Sequence, residues 1–191
     1  FKNDIEGQYF DECVVWGPEE VFVDGGGYDG DTSLRFAQRC ANYKAIYYFE
    51  PAAHLMASSR EKLKDLNRVH FIQKGLYSEN GILNFDVSRD ICSRLSNEGG
   101  AKIEVVRLDD EVKEKITYIK LDLEGAEFNT LCGARAHIQA DRPKLAIGAY
   151  HDQPDFWRIP EEVFRNHDAY DLYFRHYTEM VYDSVYYFIP R

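Results

Sequence analysis

The side chains best placed to do chemistry fall in four clusters. The first is a glycine-rich turn crowded with acids, Asp24-Gly25-Gly26-Gly27-Tyr28-Asp29-Gly30-Asp31-Thr32. Glycines there reach backbone angles closed to other residues and let a ligand come close to the main chain. The second is Glu50, twenty residues beyond Gly30 and followed by Pro51. The third is Lys120-Leu121-Asp122-Leu123-Glu124, in which Lys120 and Asp122 share a face if the segment is extended. A lysine in a buried strand is costly unless paired, and Asp122 and Glu124 are the partners the sequence offers. The fourth is His151, whose ordinary pKa near neutrality suits proton transfer. A histidine bonded to a nearby carbonyl, with no chemical role, stands beside that reading.

The turn admits two ligand classes. Gly25, Gly27 and Gly30 satisfy the G-x-G-x-x-G spacing of dinucleotide binders, a common and weak signal. Asp24, Gly26 and Gly30 satisfy instead an acid, x, glycine, x-x-x, glycine pattern. Charge separates the two. A pyrophosphate is held by helix N-terminal amides and is repelled by a neighbouring acid. S-adenosyl-L-methionine carries a sulfonium and an ammonium, which the carboxylates of Asp24, Asp29 and Asp31 suit. Glu50 fits a nucleoside of either kind, because an acid ending the second strand accepts hydrogen bonds from a ribose diol. Its bland alternative is a cap on the helix beginning near Ala52.

These groups need strands and helices to position them. Val21-Phe22-Val23 reads as a buried strand running into the turn, and a helix over 32–42 follows it. Ala45-Ile46-Tyr47-Tyr48-Phe49 is a second strand, 52–66 a second helix and Val69-His70-Phe71-Ile72 a third strand. Lys74-Gly75-Leu76-Tyr77 then lies at the crevice, with Leu76 as an apolar wall for an adenine. Residues 78–109 interrupt the alternation between the third and fourth core strands. Two short strands there flank a polar stretch, Ser88 to Lys102, that reads either as a lid or as a tolerated surface loop. Thr117 to Leu123 is a central strand, and a helix is predicted from Ala126 to Gln139. Pro143 to Tyr150 is the next strand and ends at His151. Tyr170–Tyr177 and Ser184–Ile189, joined by six residues, form an antiparallel pair at one sheet edge. The result is an α/β fold with a mixed sheet of about seven strands and helices on both faces.

Composition sets the remaining bounds. The 191 residues suffice for one α/β domain with a substantial core, spanning 1–191, with 1–20 as a segment flanking the acceptor. The net charge of −10 disfavours an extended nucleic-acid surface, which needs a basic stripe. No apolar run is long enough to span a bilayer, so no membrane is expected. Cys13, Cys40, Cys92 and Cys132 lack metal-finger spacing and read as free thiols in a reducing cytoplasm. Oligomeric state stays open.

The chain resembles the FkbM-type methyltransferases, a branch of the Rossmann-like, S-adenosyl-L-methionine-dependent enzymes. The matching pieces are Gln8-Tyr9-Phe10, the run Val21 to Thr32, Phe49-Glu50-Pro51, Ile119-Lys120-Leu121-Asp122-Leu123-Glu124-Gly125-Ala126-Glu127, Ala149-Tyr150-His151 and Arg175-His176-Tyr177. The Lys-x-Asp-x-Glu-Gly-Ala-Glu piece is the most specific of them. The resemblance implies methyl transfer to a hydroxyl oxygen of a sugar, polysaccharide or natural product. It places Asp24, Gly25, Gly26, Tyr28, Gly30, Asp31 and Thr32 around the methionine part of the donor. Glu50 and Pro51 would lie at the ribose, Gly75 and Leu76 at the adenine, and Asp122 between donor and acceptor. Gly27 departs from the family's usual alanine and should loosen the turn.

The mechanism expected is in-line displacement at an already activated methyl, for which alignment is the main requirement. His151 is the first candidate base and Asp122 the second. A variant sets a divalent metal between Asp122, Glu124 and His151, although nothing in the sequence requires a metal. Two other classes remain open: an NAD(P)-dependent oxidoreductase using the glycine turn, and a non-catalytic nucleoside-binding module. Trp16, Phe156 and Trp157 are candidates to stack on a sugar face.

Overall fold

The computed structural model describes residues 3–85, 101–179 and 182–191. In chain order the elements are β1 (Val21–Gly25), α1 (Asp31–Arg39), β2 (Ala45–Phe49), α2 (Ala53–Lys62), β3 (Val69–Ile72), β4 (Gly75–Leu76), β5 (Gly81–Phe85) and β6 (Ala101–Val106). They continue with α3 (Leu108–Glu111), β7 (Tyr118–Leu121), α4 (Glu127–Gly133), α5 (Arg135–Asp141), β8 (Lys144–Gly148), α6 (Asp155–Asn166), β9 (Tyr170–His176) and β10 (Ser184–Pro190).

Seven strands form one sheet in the order β3-β2-β1-β7-β8-β10-β9. The first five run parallel, and β10 is antiparallel to both β8 and β9. Parallel strands covered on both faces need continuous apolar runs, and every residue of β1 and β7 is buried. On one face, Leu131 of α4, Ile138 of α5 and Ile159 and Val163 of α6 pack on Val23, Ile119, Leu121, Leu145 and Ile147. On the other, Phe36 and Ala37 of α1, Met56 of α2 and Tyr9 of the N-terminal segment pack on Phe22, Ile46, Tyr48 and Tyr118. Trp16 belongs to this second layer, edge-on to Phe36 and Tyr118 at 5.6 and 5.2 Å, which makes it a core residue rather than a sugar platform.

The chain winds outward from β1 to β3 and returns to lay β7 on the other side of β1. Strand order therefore reverses between β1 and β7, and a crevice opens beyond their carboxyl ends, where ligands of such sheets bind. Two expectations are corrected, and a third lies outside the described residues. The helix predicted from Ala126 to Gln139 is two helices, broken at Ala134. The break follows Gly133, whose backbone lies so close to Tyr77 that a Cβ would sit 2.1 Å from the Tyr77 carbonyl oxygen. Residues 75–76, read as loop, are a strand, because they pair with β6 and complete a small sheet β4-β6-β5. The lid expected over Ser88 to Lys102 falls outside the described residues, apart from positions 101 and 102 in β6. Cys13, Cys40 and Cys132 are free thiols, and Cys92 lies outside the described residues. Among the described residues no helix is long and apolar enough to cross a membrane.

A candidate donor and acceptor site at the strand-order reversal

The glycine turn is held from below by other backbone. The Gly26 and Gly27 amides both donate to the Phe49 carbonyl at the end of β2, at 3.2 and 3.0 Å. Gly26 sits at φ 72°, and a Cβ there would come within 1.9 Å of the Asp122 carbonyl oxygen. The ends of β1 and β7 can lie this close only because that residue has no side chain. Tyr28 holds φ 52° without being glycine, at a conformational cost that its surroundings must offset. Its amide donates to Glu50 Oε2 at 3.0 Å, and its carbonyl accepts from the Tyr48 and Ser59 hydroxyls at 2.8 and 3.0 Å.

Gly27 tightens this arrangement instead of loosening it, which corrects the sequence expectation. A Cβ at Gly27 would lie 2.1 Å from the buried Tyr48 ring, so the glycine makes room for the side chain that holds Tyr28. Gly27→Ala is expected to destabilise the fold by about 1–3 kcal/mol through overpacking. Thermal unfolding checks this, and a melting temperature equal to wild type would contradict the packing account.

Asp24 is fully buried. Its carboxylate accepts from Ser33 Oγ at 2.6 Å and pairs with Lys120 Nζ at 3.2 Å. Lys120 also donates to the carbonyls of Gly25 and Gly26, at 3.1 and 2.7 Å. The buried lysine is thus paired with Asp24 and the turn itself, and not with Asp122 and Glu124 as expected. Asp29 and Asp31 are drawn to Lys62 on α2, at 2.9 and 3.4 Å. Those two acids are therefore balanced by a lysine and do not supply bare negative charge to the crevice. Gly30, at φ 83°, is the N-cap of α1, and Thr32 is half-buried in its first turn.

Glu50 faces the crevice with 6% of its surface exposed. Burial pushes its carboxyl pKa up, opposed by the amides of Ala52 and Tyr28 and by the charge of Lys120. Its Oε1 accepts from the Ala52 amide at 2.8 Å, so the helix-entry role is present as well. Each carboxylate oxygen has two lone pairs, and the amides occupy one on each, which leaves acceptor capacity for a diol. Pro51 is half-buried directly after it. Leu76 and Gly75 are buried in β4, and Leu76 packs in the core under Gly25.

Beyond β7 lies a compact charged cluster. Asp122 Oδ2 accepts from the Tyr9 hydroxyl and Oδ1 from the Tyr150 hydroxyl, both at 2.8 Å. Burial, then the Asp122 charge, raises both phenol pKa values, so both tyrosines remain donors. The turn after Asp122 uses φ 54° at Glu124 and φ 101° at Gly125. Glu127, fully buried at the start of α4, reaches back to accept from the Leu123 amide at 2.7 Å and the Gly125 amide at 3.0 Å.

His151 is buried in the middle of these acids. Its Nδ1 lies 2.8 Å from Glu127 Oε1, and its Nε2 lies 3.3 Å from Glu124 and 3.6 Å from Asp122. Burial alone would lower its pKa. The hydrogen bonds to Glu124 and Glu127 and the Asp122 charge overcome this and hold it at about 10. An imidazole protonated on both nitrogens has no lone pair to accept a proton. That state weighs against His151 as the base; what the geometry shows is an imidazole set among three carboxylates. Among the described residues Asp122, Glu127 and His151 have ligand atoms close enough for a metal. The Glu127 oxygens are already committed to two amides and the imidazole.

Sequence reasoning assigned no role to Tyr9, Tyr150 or Glu127, although each lies in a stretch that carried the family resemblance. Tyr9 comes from a segment far away in sequence. Its amide donates to the Tyr187 hydroxyl at 2.9 Å, and its carbonyl accepts from the Tyr118 hydroxyl. Asp11, two residues on, binds Arg175 Nε and the Tyr177 hydroxyl, each at 3.2 Å. Arg175 and Tyr177 thus dock the N-terminal segment. His176, on the other face of β9, meets Ser184 Oγ at 2.9 Å.

Comparison with known proteins follows the same outline. Residues 24–182 match the family described as Methyltransferase FkbM domain. The 2-O-methyltransferase NoeI of Sinorhizobium fredii (strain NBRC 101917 / NGR234) is 26% identical over 71% of this chain and 65% of its own length. The crystal structure of Methyltransferase FkbM from Methylobacillus flagellatus KT superposes with a TM-score of 0.83 at 24% identity, covering 98% of this chain and 48% of that one. A putative methyltransferase of Streptococcus mutans, solved in complex with SAH, matches with a TM-score of 0.61 at 15% identity over 98% of each chain. At these identities the two structures establish the fold. The chain spans about two thirds of the curated relative and about half of the first structure.

Proposed function

The chain belongs to the FkbM methyltransferase family, and from that premise we propose that it moves a methyl group from S-adenosyl-L-methionine to a hydroxyl oxygen of a sugar, polysaccharide or natural-product acceptor. The observation that carries the proposal is the meeting of two features at the strand-order reversal. A ribose-competent Glu50 braces the glycine turn, and Asp122, a carboxylate held by two tyrosines, follows directly on the end of β7. The 2-O-methyltransferase activity for which the relative NoeI is named supports a hydroxyl acceptor.

The donor set fits the donor's chemistry. Glu50 offers free lone pairs to a diol, and Asp122 and Glu124 put negative charge where a cation would lie. When bound, the donor supplies a methyl already activated on sulfonium sulfur. The chain's residues then have alignment and proton transfer to perform. Asp122 is clamped at both oxygens, so each keeps a lone pair in a fixed direction. One orients the acceptor hydroxyl and takes its proton as the new carbon–oxygen bond forms, and the proton passes afterwards to solvent. The His151 cation offsets part of the acidic charge and keeps Glu124 and Glu127 from repelling Asp122. Asp24 and Lys120 act from beneath, fixing the turn that receives the donor.

Methyl transfer to a panel of glycosides with free vicinal hydroxyls, followed by mass spectrometry and S-adenosylhomocysteine release, tests the reading. The expected result is one methyl ether per S-adenosylhomocysteine formed, lost in Asp122→Asn. Transfer to nitrogen, or undiminished turnover in Asp122→Asn, would overturn it.

A further inference from the structure

We infer that β9 is a self-complementary edge through which two copies of this chain join, continuing the sheet of one into the sheet of the other. β9 is the outermost strand. Its inner edge pairs with β10 along all seven residues, from Tyr170↔Pro190 to His176↔Ser184, in unbroken register. Among the described residues no other backbone group hydrogen-bonds to Tyr170–Arg175 from the outer side, and the Phe174 carbonyl accepts from the neighbouring Arg175 side chain at 3.1 Å. Exposed edges invite pairing with another chain unless they are blunted by proline, lysine, a bulge or brevity. Tyr170-Asp171-Leu172-Tyr173-Phe174-Arg175-His176 has no proline or lysine, and its two charged residues, Asp171 and Arg175, are of opposite sign.

Two of the exposed side chains on this edge are apolar. Leu172 and Phe174 are 39% and 43% exposed, on the face that carries α6. Phe156 packs on Phe174 at 5.7 Å and on Trp157 at 6.2 Å, and Trp157 is 66% exposed. Phe156 and Trp157 therefore extend the β9 surface.

The order of residues identifies the occupant as a second copy. Antiparallel pairing about a twofold axis at Tyr173 places Leu172 of one copy opposite Phe174 of the other, twice over. The same register sets Asp171 opposite Arg175, again twice. Strand alternation puts the charged pairs and Tyr173 on one face and the apolar pairs on the other. Acid, apolar, aromatic, apolar, base becomes its own complement when reversed, which is what an isologous interface demands and what an unrelated partner would not require. Opposed charges and apolar cross-strand pairs each favour that register. Asp171 has a 3.8 Å contact with Arg191, and the Arg175 side chain, bonded to Asp11 and to the Phe174 carbonyl and lying over the Tyr173 ring, is still 38% exposed.

Sedimentation of the purified chain across a concentration series tests the inference independently of any activity. The expected mass is twice 22.3 kDa. Phe174→Glu, and separately Leu172→Glu, should give monomer with unchanged circular dichroism. Asp171→Arg sets arginine against arginine, and Arg175→Glu sets acid against acid, so each alone should dimerise at least tenfold more weakly. An equimolar mixture of these two variants restores both charge pairs and should dimerise like wild type. A wild-type monomer at tens of micromolar would overturn the inference. So would a dimer insensitive to both Glu variants, or a mixture no tighter than its components.

Discussion

Glu50→Ala is expected to weaken binding of S-adenosylhomocysteine by roughly 100-fold or more. Glu50 does three things at once. It accepts from the Tyr28 amide at 3.0 Å, it accepts from the Ala52 amide at 2.8 Å, and it keeps lone pairs for a ribose diol. Hydrogen bonds to a charged group contribute about 1.5–3 kcal/mol each. Losing those to the ribose alone accounts for a fall of that order, since about 1.4 kcal/mol is tenfold. Removing the carboxylate also strips the partner from Tyr28, which holds φ 52° only because its amide and carbonyl are both anchored. Glu50→Gln should be milder than the alanine variant, because the amide oxygen still accepts from one of the two backbone donors while the amide nitrogen accepts from neither. Calorimetric titration at constant pH measures the effect. Wild-type affinity in the alanine variant would leave Glu50 as a brace for α2 and nothing more.

The second large effect is on stability. His151→Ala should destabilise the fold by about 3–5 kcal/mol, because it leaves Asp122, Glu124 and Glu127 crowded without their cation. Urea unfolding near pH 7 reads this directly. The direction of the pH dependence follows from the imidazole. Its pKa in the fold is about 10, above the ordinary 6.5 that the unfolded chain shows. The contribution is therefore complete below about pH 6.5 and is lost as pH rises toward 10. An interval of that width is worth at most about 5 kcal/mol at 1.36 kcal/mol per pH unit. Wild-type stability should decline across this window more steeply than that of the variant. A variant that loses turnover yet keeps full stability and the wild-type pH dependence would restore the neutral imidazole, and with it the role of base.

Much of the frame was legible because parallel strands buried on both faces announce themselves as apolar runs. β1, β2, β7 and β8 could be read this way, and the glycine turn and Glu50 marked their carboxyl ends. The partners of the charged groups could not be read. Lys120 was assigned to Asp122 and Glu124 because these are near in sequence and share its face. It instead turns to Asp24, on the strand hydrogen-bonded beside β7. Sequence spacing reports contacts along a strand, whereas pairing across strands depends on register. The same limit hid Tyr9, more than a hundred residues from the carboxylate it holds. His151 was correctly located at the crevice, but its protonation depends on three carboxylates that only the fold brings together. Gly27 was misread because its value lies in the Tyr48 ring above it and not in its own flexibility.

The central claim is that the crevice between β1 and β7 receives a sulfonium nucleoside. Isothermal titration of the purified chain with S-adenosylmethionine and S-adenosylhomocysteine, with NAD as the control, tests it most directly. The account predicts micromolar binding of both adenosyl ligands at one site per chain, weakened by roughly 100-fold or more in Glu50→Ala, and no heat with NAD. Binding of NAD, not displaced by S-adenosylmethionine, would contradict it and move the chain to the oxidoreductases.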